Sequence, residues 1–154
     1  MQENVIEGGC QCGAVRYELS SRPLTLYCCH CTECQQQSAS AFGMSLRVNN
    51  SDISFTGQTD CYVRDKGKPT EVQCLFCPEC GTRLAHRRNE RAASASIKFS
   101  SLDDRTKFQP IGHIWTTSKQ DWVILDETHL IYDKQPDDQY AALIEAFQAR
   151  YFST

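Results

Sequence analysis

In the stretch Cys29-His30-Cys31-Thr32-Glu33-Cys34 three thiols stand so close together that side-chain packing gives no reason for them. Two further groups repeat the theme. Cys77-Pro78-Glu79-Cys80-Gly81 is a knuckle, whose two-residue spacer turns both sulfurs toward one point while Gly81 tolerates the tight backbone that follows. Cys10-Gln11-Cys12-Gly13 places two thiols at i and i+2, on the same side of an extended strand end. These seven cysteines divide into four and three, and zinc takes four ligands in a closed site and three plus an open position in a reactive one. The chain is therefore expected to hold two Zn²⁺ ions and to be stapled by them.

Spacing alone leaves two assignments open. In one, Cys31, Cys34, Cys77 and Cys80 form an ordinary four-thiolate ribbon and Cys10, Cys12 and Cys29 stand aside. In the other, Cys10, Cys12, Cys77 and Cys80 close a structural site, and Cys29, Cys31 and Cys34 hold a zinc that lacks a fourth protein ligand.

The rest of the chain bounds the answer. Its 154 residues suffice for a single domain over 1–154, since a chain of this size buries roughly 70% of its unfolded surface. Hydrophobic residues at 40% and charged residues at 23% are ordinary for a globular protein. No apolar run approaches the roughly 18 residues that span a bilayer, so no membrane association is expected. Met1 to Glu7 carries neither a basic stretch nor an apolar core, which reads as the absence of a secretory signal and points to the cytoplasm. In such a reducing compartment ten cysteines mean metal or catalysis; a secreted disulfide framework is the competing reading. The net charge of −3 becomes more negative when thiolates bind zinc, which argues against nucleic acid as a partner. The cluster Arg83, His86, Arg87, Arg88 and Arg91 is interrupted by Glu90 and reads as a solvated face.

Period-two alternation marks half-buried strands at Val15, Tyr17 and Leu19, at Phe42, Met44, Leu46 and Val48, and at Val72, Cys74 and Phe76. Further short strands are expected at 53–55, 61–64, 96–99, 113–115 and 122–125. The period changes only where Tyr140, Leu143, Ile144, Phe147 and Tyr151 recur at helical spacing, behind Pro136 and two aspartates. The expected fold is mainly β, closed by one amphipathic C-terminal helix over about residues 137–150 whose apolar stripe packs on a sheet.

Of the other candidates, Cys28, Cys61 and Cys74 read as packing thiols, and Trp115 and Trp122 as core or pocket wall. His30, His86 and His113 read as structural histidines, with His30 best placed to support the ligands beside it. Ser38, Ser40 and Phe42 follow the three-thiol turn, either lining a pocket or entering the core.

Five segments, taken in order, resemble the motifs of the glutathione-dependent formaldehyde-activating enzyme family, which also includes centromere protein V. They are Gly8-Gly9-Cys10-Gln11-Cys12-Gly13, Cys29 to Gln35, Ser38 to Gly43, Cys77 to Thr82, and His113-Ile114-Trp115-Thr116 with Trp122. The resemblance implies the second assignment: a structural zinc on Cys10, Cys12, Cys77 and Cys80, and a catalytic zinc on Cys29, Cys31 and Cys34. It also implies two antiparallel sheets leaning together as a tent. The expected function is that of a zinc-dependent carbon–sulfur lyase, an aldehyde-activating protein in which a small thiol such as glutathione adds as thiolate to formaldehyde or a related aldehyde. Its product is an adduct like S-hydroxymethylglutathione. The alternative is a zinc-stabilised binding module without catalysis.

Overall fold

The computed structural model describes residues 5–153, so Met1 to Asn4, part of the stretch read as lacking a secretory signal, lie outside the described residues. In chain order the elements are β1 (Ile6–Gly9), β2 (Arg16–Leu19), β3 (Thr25–Cys29), α1 (Thr32–Ser38), β4 (Gly43–Asn49), β5 (Ile53–Thr56), β6 (Asp60–Arg64), β7 (Val72–Phe76), β8 (Arg83–Arg87), β9 (Ser94–Lys98), β10 (Gly112–Ile114), β11 (Leu130–Ile131) and α2 (Ala141–Phe152). The chain is mainly β, with two sheets and a C-terminal helix, as expected. It folds as two compact units, one from Met1–Pro23 with Arg47–Arg105 and one from Leu24–Leu46 with Thr106–Thr154.

In the first unit β1, β2 and β5 pair antiparallel, with Gly9 opposite Arg16 and Arg16 opposite Thr56. Alternation works here as the pattern demands: Val15, Tyr17 and Leu19 are buried while Glu18 faces solvent. The Tyr17 hydroxyl, taken out of water, bonds to Ser101 Oγ at 2.8 Å. Strands β6, β7, β8 and β9 form an antiparallel meander in the same unit.

In the second unit β10 runs parallel to β3, with His113 opposite Cys28 and Ile114 opposite Cys29, and β11 runs parallel to β10. Helix α2 packs on β3 through Leu143 and Phe147, both with no exposed surface. Phe108, Phe147 and Tyr151 close the contact, with ring centroids 4.8 to 5.4 Å apart. Gly112 makes the approach of α2 to β10 feasible, because a Cβ there would stand 2.4 Å from Leu143 Cδ2 and 2.9 Å from the Leu130 carbonyl oxygen.

The structure departs from the expected elements in four places. Helix α2 begins at Ala141 rather than near 137, because Gln139 and Tyr140 have positive φ and the Asp138 carboxylate takes the N–H groups of Tyr140 and Ala142, both at 3.0 Å. Residues 122–125 form no strand, and Trp122 and Ile124 are exposed there, at 71% and 94%. Strand β3 is buried at every position, so it shows no alternation for a period-two reading to find. The stretch from Cys29 to Cys34 is a strand end followed by the start of α1, not a single tight turn.

Candidate metal centres

The four sulfurs of Cys10, Cys12, Cys77 and Cys80, all in the first unit, lie within 4.8 Å of one another, and so do the three of Cys29, Cys31 and Cys34 in the second. This is the second of the two groupings that spacing left open; the ribbon of Cys31 and Cys34 with Cys77 and Cys80 is not formed.

In the first set, Cys10 directly follows β1 and opens the turn to β2, where its N–H bonds to the Val15 carbonyl at 2.9 Å. The Val15 N–H in turn points at Cys10 Sγ, 3.2 Å away. Across from it the knuckle is closed by the Gly81 N–H on the Cys77 carbonyl at 2.9 Å, and Gly81 holds φ at 75°. Thr82 joins the two halves: its hydroxyl oxygen accepts the Gln11 N–H at 3.0 Å and lies 3.2 Å from Cys80 Sγ. Hydrogen bonds from the Thr82 hydroxyl and N–H pull the Cys80 thiol down to about 5. Sulfur separations of 3.6 Å (Cys10 to Cys12) and 3.8 Å (Cys12 to Cys77) match the edge of about 3.8 Å that a tetrahedron with 2.3 Å zinc–sulfur bonds requires. The donor set thus fits a metal ion of zinc's size.

The second set is built at the junction of β3 and α1. Cys29 ends the strand, and Cys31 caps the helix, its sulfur accepting the Cys34 N–H at 3.3 Å. Cys34 lies one turn on, so strand end and helix start bring the three sulfurs to one place. Cys31 and Cys34, and then burial, push the Cys29 thiol far above its ordinary value. Three ionised sulfurs are not tolerated at that spacing without a cation among them, and the set fits a metal ion on that ground.

Between Cys29 and Cys31 stands His30, fully buried and held on several sides. Its N–H donates to the Ile114 carbonyl at 3.0 Å. Its carbonyl oxygen accepts from the Gln35 side-chain amide and from the Ser118 hydroxyl, each at 2.8 Å. Its ring lies against Phe42, with centroids 5.1 Å apart, and its Nε2 is 2.9 Å from His113 Nδ1. Ser118 arrives there because Trp115 adopts φ 57° and ψ 39°, left-handed values rare for a bulky residue, and starts the short 3-10 turn Thr116–Ser118.

Ser38 turns back onto α1, donating to the Cys34 carbonyl at 2.7 Å, and Phe42 packs on His30; both support the loop. Cys28, 2% exposed, is not part of the three-sulfur set, and Cys74 is buried as well. Gln35, the last residue of the second resembling segment, carries the arrangement with Ser118 and His129, and no local motif singled out the latter two.

No helix among the described residues is long and apolar enough to cross a membrane. A family model described as glutathione-dependent formaldehyde-activating enzyme matches residues 5–118, which include all seven clustered cysteines. None of the curated proteins matches the chain. Among solved structures, the crystal structure of a Rhodobacter sphaeroides protein from a structural-genomics programme superposes with a TM-score of 0.50 at 20% identity, covering 63% of this chain and 87% of that one, a likeness of fold alone. With most of its length under the family model, the chain belongs to the glutathione-dependent formaldehyde-activating enzyme family.

Proposed function

We propose that this protein is a zinc-dependent carbon–sulfur lyase that makes and breaks the adduct of a small thiol, glutathione or a relative, with formaldehyde or a related aldehyde. The observation that carries the proposal is the convergence of three sulfurs, Cys29, Cys31 and Cys34, where the other set has four. Cys10, Cys12, Cys77 and Cys80 would enclose a structural zinc completely. Cys29, Cys31 and Cys34 would hold the reactive one. Zinc held there would supply a Lewis-acid centre that favours the thiolate form of an added thiol, the form that attacks carbonyl carbon.

What the chain's own residues contribute is placement. The Cys31 cap of α1 fixes two sulfurs on one helical turn, and the clamps on His30 fix the third relative to them. Cys29 and Cys34, buried at 6% and 7% exposure, keep water from the inner side of the cluster. In the reaction a carbon–sulfur bond forms as the C=O π bond breaks, and the thiol proton ends on the new hydroxyl oxygen. The reverse direction releases thiol and aldehyde without any redox change.

Ten free cysteines suit a reducing compartment, and we assign the protein to the cytoplasm on that ground. The test is direct. The zinc-loaded protein is mixed with glutathione and formaldehyde, and exchange of S-hydroxymethylglutathione is followed by NMR, with other small thiols run in parallel. Acceleration with at least one thiol is the expected result. Rates equal to buffer with every thiol would leave a zinc-stabilised binding module in its place.

A further inference from the structure

Behind the three-cysteine loop, three imidazoles stand in line. His30 Nε2 is 2.9 Å from His113 Nδ1, His113 Nε2 is 3.0 Å from His129 Nδ1, and His129 Nε2 is 3.9 Å from Asp126 Oδ2. All four residues belong to the second unit. The line begins at a fully buried ring and ends at an exposed carboxylate.

A neutral imidazole carries one N–H, and each nitrogen–nitrogen contact needs one proton, so in a row of neutral rings the protons all point the same way. Burial, and then the neighbouring His30 and His129, hold the His113 pKa down at about 4, which keeps the middle ring neutral at pH 7. Two orders remain. If the protons point inward, His30 carries its N–H on Nδ1, a buried atom with no hydrogen-bond partner, and His129 turns a bare lone pair toward Asp126. If they point outward, every N–H faces an acceptor or the carboxylate, and His30 Nδ1 is left only as an underused acceptor. A buried donor without a partner is rarer and costlier than a buried acceptor without one. Asp126 is kept ionised by Thr128, whose hydroxyl and N–H bond to Oδ1 at 2.6 and 2.8 Å and hold the carboxyl below its ordinary range. That leaves Oδ2 facing His129.

We propose that Asp126 and His129 are positioning residues, which act through His113 to keep the proton of each ring on Nε2 and so fix the His30 ring between Cys29 and Cys31. Every other polar group of His30 except Nδ1 is already tied down, and the imidazole row supplies the remaining anchor. The effect on turnover rests on the lyase reading above. The proton order does not.

The experiment uses the full chain loaded with zinc and labelled with ¹⁵N-histidine, observed by long-range ¹H–¹⁵N NMR at pH 7. Nε2–H tautomers at His30, His113 and His129 are expected; an Nδ1–H tautomer at His113 overturns the proposal. His129→Leu removes the acceptor for His113, and His129→Asn returns a polar group near the Nδ1 position. Thiol–formaldehyde exchange should fall about 10-fold in the leucine variant, the scale of losing a group that orients a ligand, and recover in the asparagine variant. Equal effects in the two variants overturn it. Should the leucine variant not fold, Asp126→Asn removes the charge at an exposed position; tautomer populations identical to wild type then overturn the proposal. If wild type shows no exchange, the lyase reading fails by itself. The positioning claim is then read from the absorption of the cobalt-substituted cluster, which should shift in His129→Leu and return in His129→Asn.

Discussion

The side-chain amide of Gln35, one residue beyond Cys34, sits 2.8 Å from the carbonyl oxygen of His30 and 2.9 Å from that of Ser118. A single glutamine thus ties the helix that bears two of the clustered sulfurs to the strand that bears the third and to the turn set up by Trp115. In Gln35→Ala two carbonyls lose a donor. The expected cost is about 1–2 kcal/mol in chemical denaturation, since the Ser118 hydroxyl still serves the His30 oxygen. Zinc should also leave the three-cysteine set faster when a coloured chelator is added. Unchanged metal release in a correctly folded variant would count against the clamp.

The two sulfur sets should fail differently. Cys77→Ser removes a fully buried sulfur from the four-sulfur set and, if that set holds the proposed structural zinc, should leave the chain largely unfolded by circular dichroism, because the free energy of such a metal is folding free energy. Cys34→Ser should retain the fold, lower the zinc content from two to one per chain, and abolish thiol–aldehyde exchange. Metal analysis and far-ultraviolet spectra on both variants check this. Equal unfolding of the two would argue that both ions are structural.

Acid should weaken the second unit in a defined window. The folded His113 pKa of about 4 lies below the ordinary 6.5, with burial as the main cause and His30, His129 and Asp126 as the facing groups. The unfolded chain therefore binds the proton first. The stability from keeping this ring neutral is complete above pH 6.5 and is lost as pH falls toward 4, up to about 3 kcal/mol in all. Denaturation curves at several pH values, repeated for His113→Gln, measure it. The variant should show a shallower fall between pH 6.5 and 4.

Gly112→Ala is a change of one methyl group in a place with no room for it. The added carbon meets Leu143 and the Leu130 carbonyl, and relief requires α2 or β11 to shift. A loss of about 1–3 kcal/mol is expected in thermal or chemical unfolding. The two cysteine sets should still bind metal, since neither contains residues of that contact.

How far the sequence could be read depends on the range of the interaction. Tyr17 and Leu19 announced a half-buried strand because their environment alternates, whereas Thr25 to Cys29 hid one because both faces are covered. Residues 122–125 looked like a strand by composition, yet Trp122 is exposed and bonds to its near neighbour Gln120 at 2.7 Å instead of pairing. Helix α2 starts four residues beyond the expected place because a side-chain cap from Asp138 competes with the helix for the same N–H groups. His129 and Ser118 drew no notice, for a single polar residue in a loop carries no pattern.

The cysteines themselves, their division into four and three, and the mainly β character with its closing helix were all determined by the sequence, since thiol spacing and hydrophobic period are local properties of the chain. Which pairs share a site was decided only in three dimensions: Cys12 and Cys77 stand 65 positions apart, and spacing within each pair allows other partners equally well. The support behind the three-cysteine loop was likewise decided there. Hydrogen bonds such as Ser118 to His30 join residues whose separation along the chain says nothing of their distance in space.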